Sequence, residues 1–362
     1  MERRKTPLGE IIQFKNGKKR PVNEGAIPVY GGNGILGYAA DSNYDRCVII
    51  GRVGAYCGSV YYEENACWVS DNAIAALPKS GTDIVYAYYL LKGLNLNKRH
   101  IGTSQPLLTQ EILNRIECRI PSLAEQKQIG AVLWAIDQKI TLNNKINDNL
   151  QQQALAIFQQ ELLRDRELPE GWSKGSLLDI ANYLNGLAMQ KFRPADGENG
   201  LPVLKIKELR QGSCDTSSEL CSPSIKPEYI VHDGDVIFSW SGSLLVDLWC
   251  GGTCGLNQHL FKVTSEKYPK WFYYAWTAHH LARFVAIAAD KATTMGHIKR
   301  EELAKAEVII PDAASMERIG GILQPMYDLI ISNRIENRKL AALRDTILPK
   351  LMSGELDVST LT

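Results

Sequence analysis

Gly32, Gly34 and Gly37, in Tyr30-Gly-Gly-Asn-Gly-Ile-Leu-Gly-Tyr38, have the G-x-G-x-x-G spacing that can cradle a dinucleotide pyrophosphate. That chemistry needs a strand before the glycines, a helix opening from the last of them, and an acidic residue about twenty positions on. Pro28-Val29-Tyr30 can be the strand, but Tyr38-Ala-Ala-Asp-Ser-Asn-Tyr-Asp45 is turn chemistry and Cys47 to Ile50 reads as another strand. The stretch therefore predicts a strand, turn, strand connection with Asn33-Gly34 as the turn. The eight cysteines contain no C-x-x-C, and Cys250, Cys254 and His259 fall one ligand short of a zinc site, so reduced and mostly buried thiols are expected. The six histidines share no ligand spacing. G-x-x-x-x-G-K-[ST], H-E-x-x-H and any Pro-Pro dipeptide are absent, the last excluding the Asn-Pro-Pro-Tyr loop of amino-methyl transfer. These residues ask for no catalytic site and no resident cofactor or metal.

The bulk properties are those of a globular chain with room for two or more domains: 362 residues, 45% hydrophobic, 22% charged. Forty-one basic residues against forty acidic ones do not point to a strong indiscriminate polyanion binder but leave room for a local basic surface. No apolar run has the length of a membrane span, and Met1-Glu2-Arg3-Arg4-Lys5-Thr6-Pro7 leads into no apolar segment, so a cytoplasmic location without membrane contact is expected.

The elements that would position any site come in duplicate. Residues 102–150 align with residues 292–340 without a gap at an offset of 190, pairing Ile120-Pro121 with Ile310-Pro311, Ile129-Gly130 with Ile319-Gly320, and Asn143 and Asn147 with Asn333 and Asn337. Weaker echoes link Asn16-Gly17 with Asn185-Gly186 and Ile27-Pro28-Val29 with Leu201-Pro202-Val203. Each tail reads as a long helix. Ser122-Leu-Ala-Glu125 is a capping-box pattern, and Ile129, Leu133, Ile136, Ile140, Asn143, Asn147, Leu150, Ala154 and Ile157 form a heptad seam. The second seam runs Ile319, Leu323, Met326, Ile330, Asn333, Asn337, Leu340, Arg344 and Ile347, with Pro325 expected to kink it and Pro349 to stop it. Pairing the two stripes hides both, with the asparagines Asn143, Asn147, Asn333 and Asn337 as register pins. The globular parts read as mixed α/β, with helices expected over residues 84–94 and 271–289.

Two variable globular units, two matched heptad helices, Leu168-Pro-Glu-Gly-Trp172 after the first helix and Leu343-Arg-Asp-Thr-Ile-Leu-Pro-Lys-Leu-Met-Ser-Gly-Glu-Leu356 after the second resemble the specificity subunit of a type I restriction-modification system. The duplicated I-P-x-x-x-x-x-x-x-I-G segment, with Glu125-Gln126 in its first copy, and the Tyr30 to Tyr38 stretch are similar to stretches of that family. The resemblance implies an α+β chain. Its two tandem α/β target recognition domains are separated by two long antiparallel coiled-coil helices, in a pseudo-twofold internal repeat. The first recognition domain would be residues 1–121, the central helix 122–167, the second recognition domain 168–311, and the distal helix with a C-terminal tag 312–362. The implied function is sequence-specific DNA binding in phage defence, each domain reading one half of a bipartite double-stranded site and the helices setting the gap. The implied partners are two methyltransferase subunits, docked on the helices, and translocating nuclease subunits. S-adenosylmethionine, ATP and Mg²⁺ would belong to those partners. Ser315-Met316 replaces Glu125-Gln126 in the second copy, a departure from symmetry. Rival classes are a coiled-coil adaptor that binds only proteins and a self-contained DNA-modifying enzyme.

If DNA is the partner, Lys15, Lys18, Lys19 and Arg20 in the first unit, and Lys191, Arg193, Lys205 and Lys207 in the second, are candidate phosphate contacts. Thr103 and Ser104 follow Lys98 and Arg99, and Thr293 and Thr294 follow Lys291, hydroxyls beside cations that suit backbone phosphates. Arg52, Asn72, Asn257 and Gln258 carry the paired donors and acceptors that base reading needs.

Overall fold

The computed structural model describes residues 3–102, 105–163, 167–290 and 298–360. The chain forms two compact units, Met1–Lys139 with Leu340–Thr362, and Ile140–Lys339. Both boundaries fall inside the long helices, the central helix Leu123–Leu162 and the distal helix Ala313–Ser353. Each unit therefore takes part of both helices, whereas the sequence division at residues 121, 167 and 311 keeps each helix whole. Packing is the reason. Ile129, Leu133, Leu348 and Leu351 are buried in the core of the first unit, and Ala154, Phe158, Leu162, Ile319, Leu323 and Tyr327 in that of the second.

In the first unit β1 (Arg4–Pro7) pairs antiparallel with β9 (Glu117–Ile120), closing the globular part just before the central helix. Between them β2 (Ile12–Asn16), β8 (Ala73–Pro78), β5 (Cys47–Gly51) and β6 (Val60–Glu63) make an antiparallel sheet in that order, and β4 (Gly34–Ala39), β3 (Ile27–Gly31) and β7 (Trp68–Val69) a smaller mixed one. Strand β5 is buried along its whole length, as the apolar run Cys47-Val-Ile-Ile50 requires. The helix Ile84–Gly93 covers the large sheet, its start capped by Asp83, whose carboxylate accepts from Tyr86 N at 2.9 Å.

The second unit repeats this plan. Strand β10 (Ser173–Ser176) pairs with β19 (Glu307–Ile310). Strands β11 (Asn182–Asn185), β18 (Leu260–Thr264), β15 (Val236–Ser239) and β16 (Leu245–Leu248) follow one another in the large sheet, and β13 (Leu220–Cys221), β12 (Leu201–Leu204), β17 (Cys254–Leu256) and β14 (Ile230–Val231) in the smaller one. The parallel pairs β3 with β7 and β12 with β17 correspond.

Four local expectations change. The glycine stretch is a hairpin, but Gly31 pairs with Gly34, so the loop residues are Gly32 and Asn33. Gly34 takes φ +81°, which a side chain would strain, and a bulge after Val29 absorbs the extra residue. The expected helix over residues 271–289 is two, Lys270–His279 and Leu281–Asp290, parted at His280, whose ring Nε2 is 2.8 Å from Glu307 O. The central helix ends at Leu162, short of residue 167. Pro349 does not stop the distal helix: it runs on to Ser353, because buried Leu348 and Leu351 anchor the turns around that proline, and Pro325 lies inside the same helix between buried Leu323 and Tyr327. The helix starts match across the repeat. Ser122 Oγ accepts from Glu125 N at 3.3 Å, and Asp312, at the same place in the second copy, accepts from Ser315 N at 2.7 Å.

Candidate nucleic-acid interface

The duplicated Asn-Gly pair sets the geometry in both units. A Cβ on Gly17 would lie 1.9 Å from Ser70 O, and one on Gly186 lies 2.3 Å from Asn257 O, so in each copy the chain leaving the edge strand crosses another backbone at a distance only glycine allows. In the first unit Gly17 N donates to Ala73 O at 3.0 Å and Lys18 N to Val69 O at 3.0 Å. Lys15, Lys18, Lys19 and Arg20 are all exposed, and Lys15, Lys18 and Lys19 have no ion pair among the described residues. Arg20 donates through Nη1 to Leu36 O at 3.3 Å, against the glycine hairpin.

Arg52 leaves the end of β5 with its backbone tied on both sides: its N donates to Asn72 O at 3.0 Å, and its O accepts from Leu108 N at 2.9 Å and from the Cys57 thiol at 3.2 Å. Its half-buried guanidinium makes one long bond, Nη1 to Asp71 O at 3.4 Å, and buried Nε has no acceptor. Asn72 is exposed beside it, and Asn72 O and Val53 O both come within 3.6 Å of where a Cβ on Gly32 would stand. The structure thus brings Arg52, Asn72 and the Gly32-Asn33 turn together. Lys98 and Arg99 are exposed on a separate turn, Arg99 Nε donating to Leu94 O at 3.2 Å. Thr103 and Ser104 lie outside the described residues, although Ile101 and Leu107 around them exchange two backbone bonds of 2.9 Å.

The second unit differs in its charges. Arg193 pairs with Glu219 at 3.2 Å, Lys205 binds the same carboxylate, and Lys207 reaches Asp215 at 3.5 Å and Ser217 Oγ at 2.8 Å. Lys205 is the main reason the Glu219 carboxyl sits below its ordinary range. These candidate phosphate contacts are neutralised inside their own unit, which sequence spacing does not show because Glu219 and Asp215 arrive from a later turn. Lys191 is exposed on the turn Met189–Lys191, and Lys291, Thr293 and Thr294 lie outside the described residues.

Where the first unit has Arg52 the second has Trp240, the residue after β15. Its Nε1 donates to Asn185 Oδ1 at 3.0 Å, joining it to the Asn-Gly pair. Ser241 Oγ is 3.1 Å from His259 Nδ1, and Gln258 Nε2 is 3.3 Å from His259 Nε2. Asn257 is buried and its Oδ1 accepts from His259 N at 3.3 Å, so of the two expected base readers here Gln258 is the more accessible. None of Asn185, Ser241 and His259 is read as a DNA contact from sequence: Asn185 enters there only through the Asn-Gly echo and His259 only beside Cys250 and Cys254. Cys250, Cys254 and His259 do not converge, and no group of three or more metal-ligating side chains is assembled among the described residues. All eight cysteines are free thiols, seven of them buried. No described helix is long and apolar enough to cross a membrane.

The helix asparagines meet, though not their repeat counterparts. Asn143 Nδ2 donates to Asn337 Oδ1 at 2.8 Å and to Glu336 Oε2 at 2.7 Å, and Asn333 Nδ2 donates to Asn147 Oδ1 at 2.9 Å. This crossed pairing is the signature of antiparallel helices. Arg334 and Arg338, one turn apart, pin the distal helix to strand β16 through Asp247 at 2.7 Å and to the turn before β15 through Asp233 at 2.7 Å.

Residues 3–152 and 169–343, nearly the whole chain in two matched segments, fit the model of a family described as the type I restriction modification DNA specificity domain. The chain belongs to that family. It is 27% identical over 312 residues to the MjaIX specificity subunit of Methanocaldococcus jannaschii, covering 79% of this chain and 72% of that protein. It is 30% identical over 157 residues to the EcoprrI specificity subunit of Escherichia coli, covering 41% of this chain and 38% of that one. The crystal structure of the type I restriction-modification S subunit from M. genitalium has the same fold, with a TM-score of 0.64 at 15% identity over 96% of both chains. The α+β architecture with two specificity domains and two long helices is that of this family, and the clusters around Arg52 and Trp240 belong one to each DNA specificity domain.

Proposed function

We propose that this chain recognises a bipartite DNA site, each unit reading one half, while the two helices set the gap and dock methyltransferase subunits. The observation that carries the reading is the repetition of one strand plan in both units, with the same crossing glycine after the edge strand of each, and with Arg52 leaving the inner strand of one where Trp240 leaves that of the other. A duplicated reader with unlike side chains suits a site of two unlike halves. The central helix, 40 residues, is about 60 Å long, enough to span the ~34 Å helical turn that separates half-sites read from one face of DNA. In this reading the chain catalyses nothing: methylation and cleavage belong to methyltransferase subunits using S-adenosylmethionine and to translocating nuclease subunits using ATP and Mg²⁺.

The test is to co-express the chain with its methyltransferase subunit and map modified adenines across the host genome by single-molecule sequencing. A two-part motif with a fixed gap is expected. A continuous motif, or none from a soluble complex, would overturn the reading.

A further inference from the structure

We propose that Arg52 reads a guanine in the half-site bound by the first unit, through the O6 and N7 acceptors of its major-groove edge, and that the second unit reads its half without an arginine at the matching place. The proposal rests on the reading that each unit binds one half. Strands β5 and β15 each lie inside their sheet, paired on both sides, so the residue leaving them holds the same position in both copies. In one copy that residue is Arg52 and in the other Trp240.

Arg52 differs from Lys18, Lys19 and Arg193 in how it is held and in the donors it has left. Three hydrogen bonds to its backbone N and O fix the root of the side chain, whereas Lys18 and Lys19 are exposed. Its guanidinium has no carboxylate partner among the described residues, while Arg193 is held by Glu219. Of its five donors one reaches a carbonyl, at 3.4 Å, and Nε has no acceptor. A planar fork with unspent donors, held at its base, matches the paired acceptors of guanine. Adjacent Asn72 adds an exposed amide for a neighbouring base. In the second copy the Trp240 N–H is already given to Asn185, and the accessible polar groups are the Gln258 amide and the His259 ring.

The experiment uses the purified complex of this chain with its methyltransferase subunit and duplexes carrying the mapped site. Each guanine is replaced in turn by 7-deazaguanine, which removes the N7 acceptor and leaves base pairing intact. With unaltered protein, one guanine in one half is expected to lose about tenfold in affinity. Arg52→Ala, which gives up the O6 bond as well, is expected to lose at least that factor on the natural site and a clearly smaller one on that 7-deazaguanine duplex, where only the O6 bond is left to lose, which assigns this half to the first unit. Insensitivity of every guanine in both halves to the substitution in unaltered protein overturns the proposal whether or not the variant folds, and so does multiplication of the two losses. Failure to find any two-part site would overturn the underlying reading, and the proposal with it.

Discussion

A cation contributes to DNA affinity by releasing a counterion only if the fold has not already neutralised it. Lys19 is exposed without an ion pair among the described residues, whereas Lys205 shares Glu219 with Arg193. Lys19→Ala is therefore expected to weaken binding alike on specific and random duplexes and to make the slope of log affinity against log salt shallower by about one. Lys205→Ala should leave that slope within error, and equal slopes for the two variants would refute the distinction. Proton linkage makes a second prediction at this scale. Burial pushes His279 and His280 below the ordinary histidine range, so in that window the unfolded chain binds protons the folded unit does not. Their contribution to stability is complete above about pH 6.5 and is lost as pH falls toward the folded value. Urea unfolding from pH 7.5 to 5.5 should show that loss, and His279→Phe should flatten it; an unchanged slope in the variant would remove His279 from the account. Sequence made the exposed cations and Arg52 legible as charges. It did not show that Glu219 cancels two of the cations, because that depends on which turns meet in space.

The helices were the most legible elements, since every one of the seam positions from Ile129 to Ile157 is buried or half-buried. What the heptad missed follows from the 3.6-residue turn: toward the end of the central helix the buried face drifts from Ile157 to Phe158 and Leu162, which pack on the globular core instead of following a supercoil seam. Repeat counterparts were also a poor guide to contacts. Asn143 aligns with Asn333 but bonds Asn337, and Asn333 bonds Asn147, leaving buried Asn143 Oδ1 without a partner among the described residues. Asn333→Leu should strand the buried Asn147 amide and cost about 1–3 kcal/mol in urea unfolding, while Asn147→Leu with Asn333→Leu replaces both partners by apolar groups and should recover most of that loss. A double variant as unstable as the single one would show that the pair contributes through shape rather than hydrogen bonding.

For the whole molecule, the repeat was legible because the tails align at a constant offset, but the place where each helix passes from one compact unit to the other was not. The seam pattern is the same on both sides of Lys139 and Lys339, so spacing carries no mark of the boundary. Those boundaries give the proposed gap-setting role a direct test. Inserting seven residues after Lys139 and seven after Lys339 keeps the four-three seam continuous in both helices, so the crossed asparagines beyond the insertion can still meet. Each insertion adds about 10 Å at 1.5 Å per residue. If the helices hold the two readers apart, the methylation motif of the double-insertion protein should keep both halves and lengthen its gap by about three base pairs at 3.4 Å each. An insertion in one helix alone puts the seams out of step by two turns and should abolish the two-part motif. A soluble double-insertion protein that still modifies the original motif would mean that the gap is fixed elsewhere, and the helices would then be left with partner docking alone.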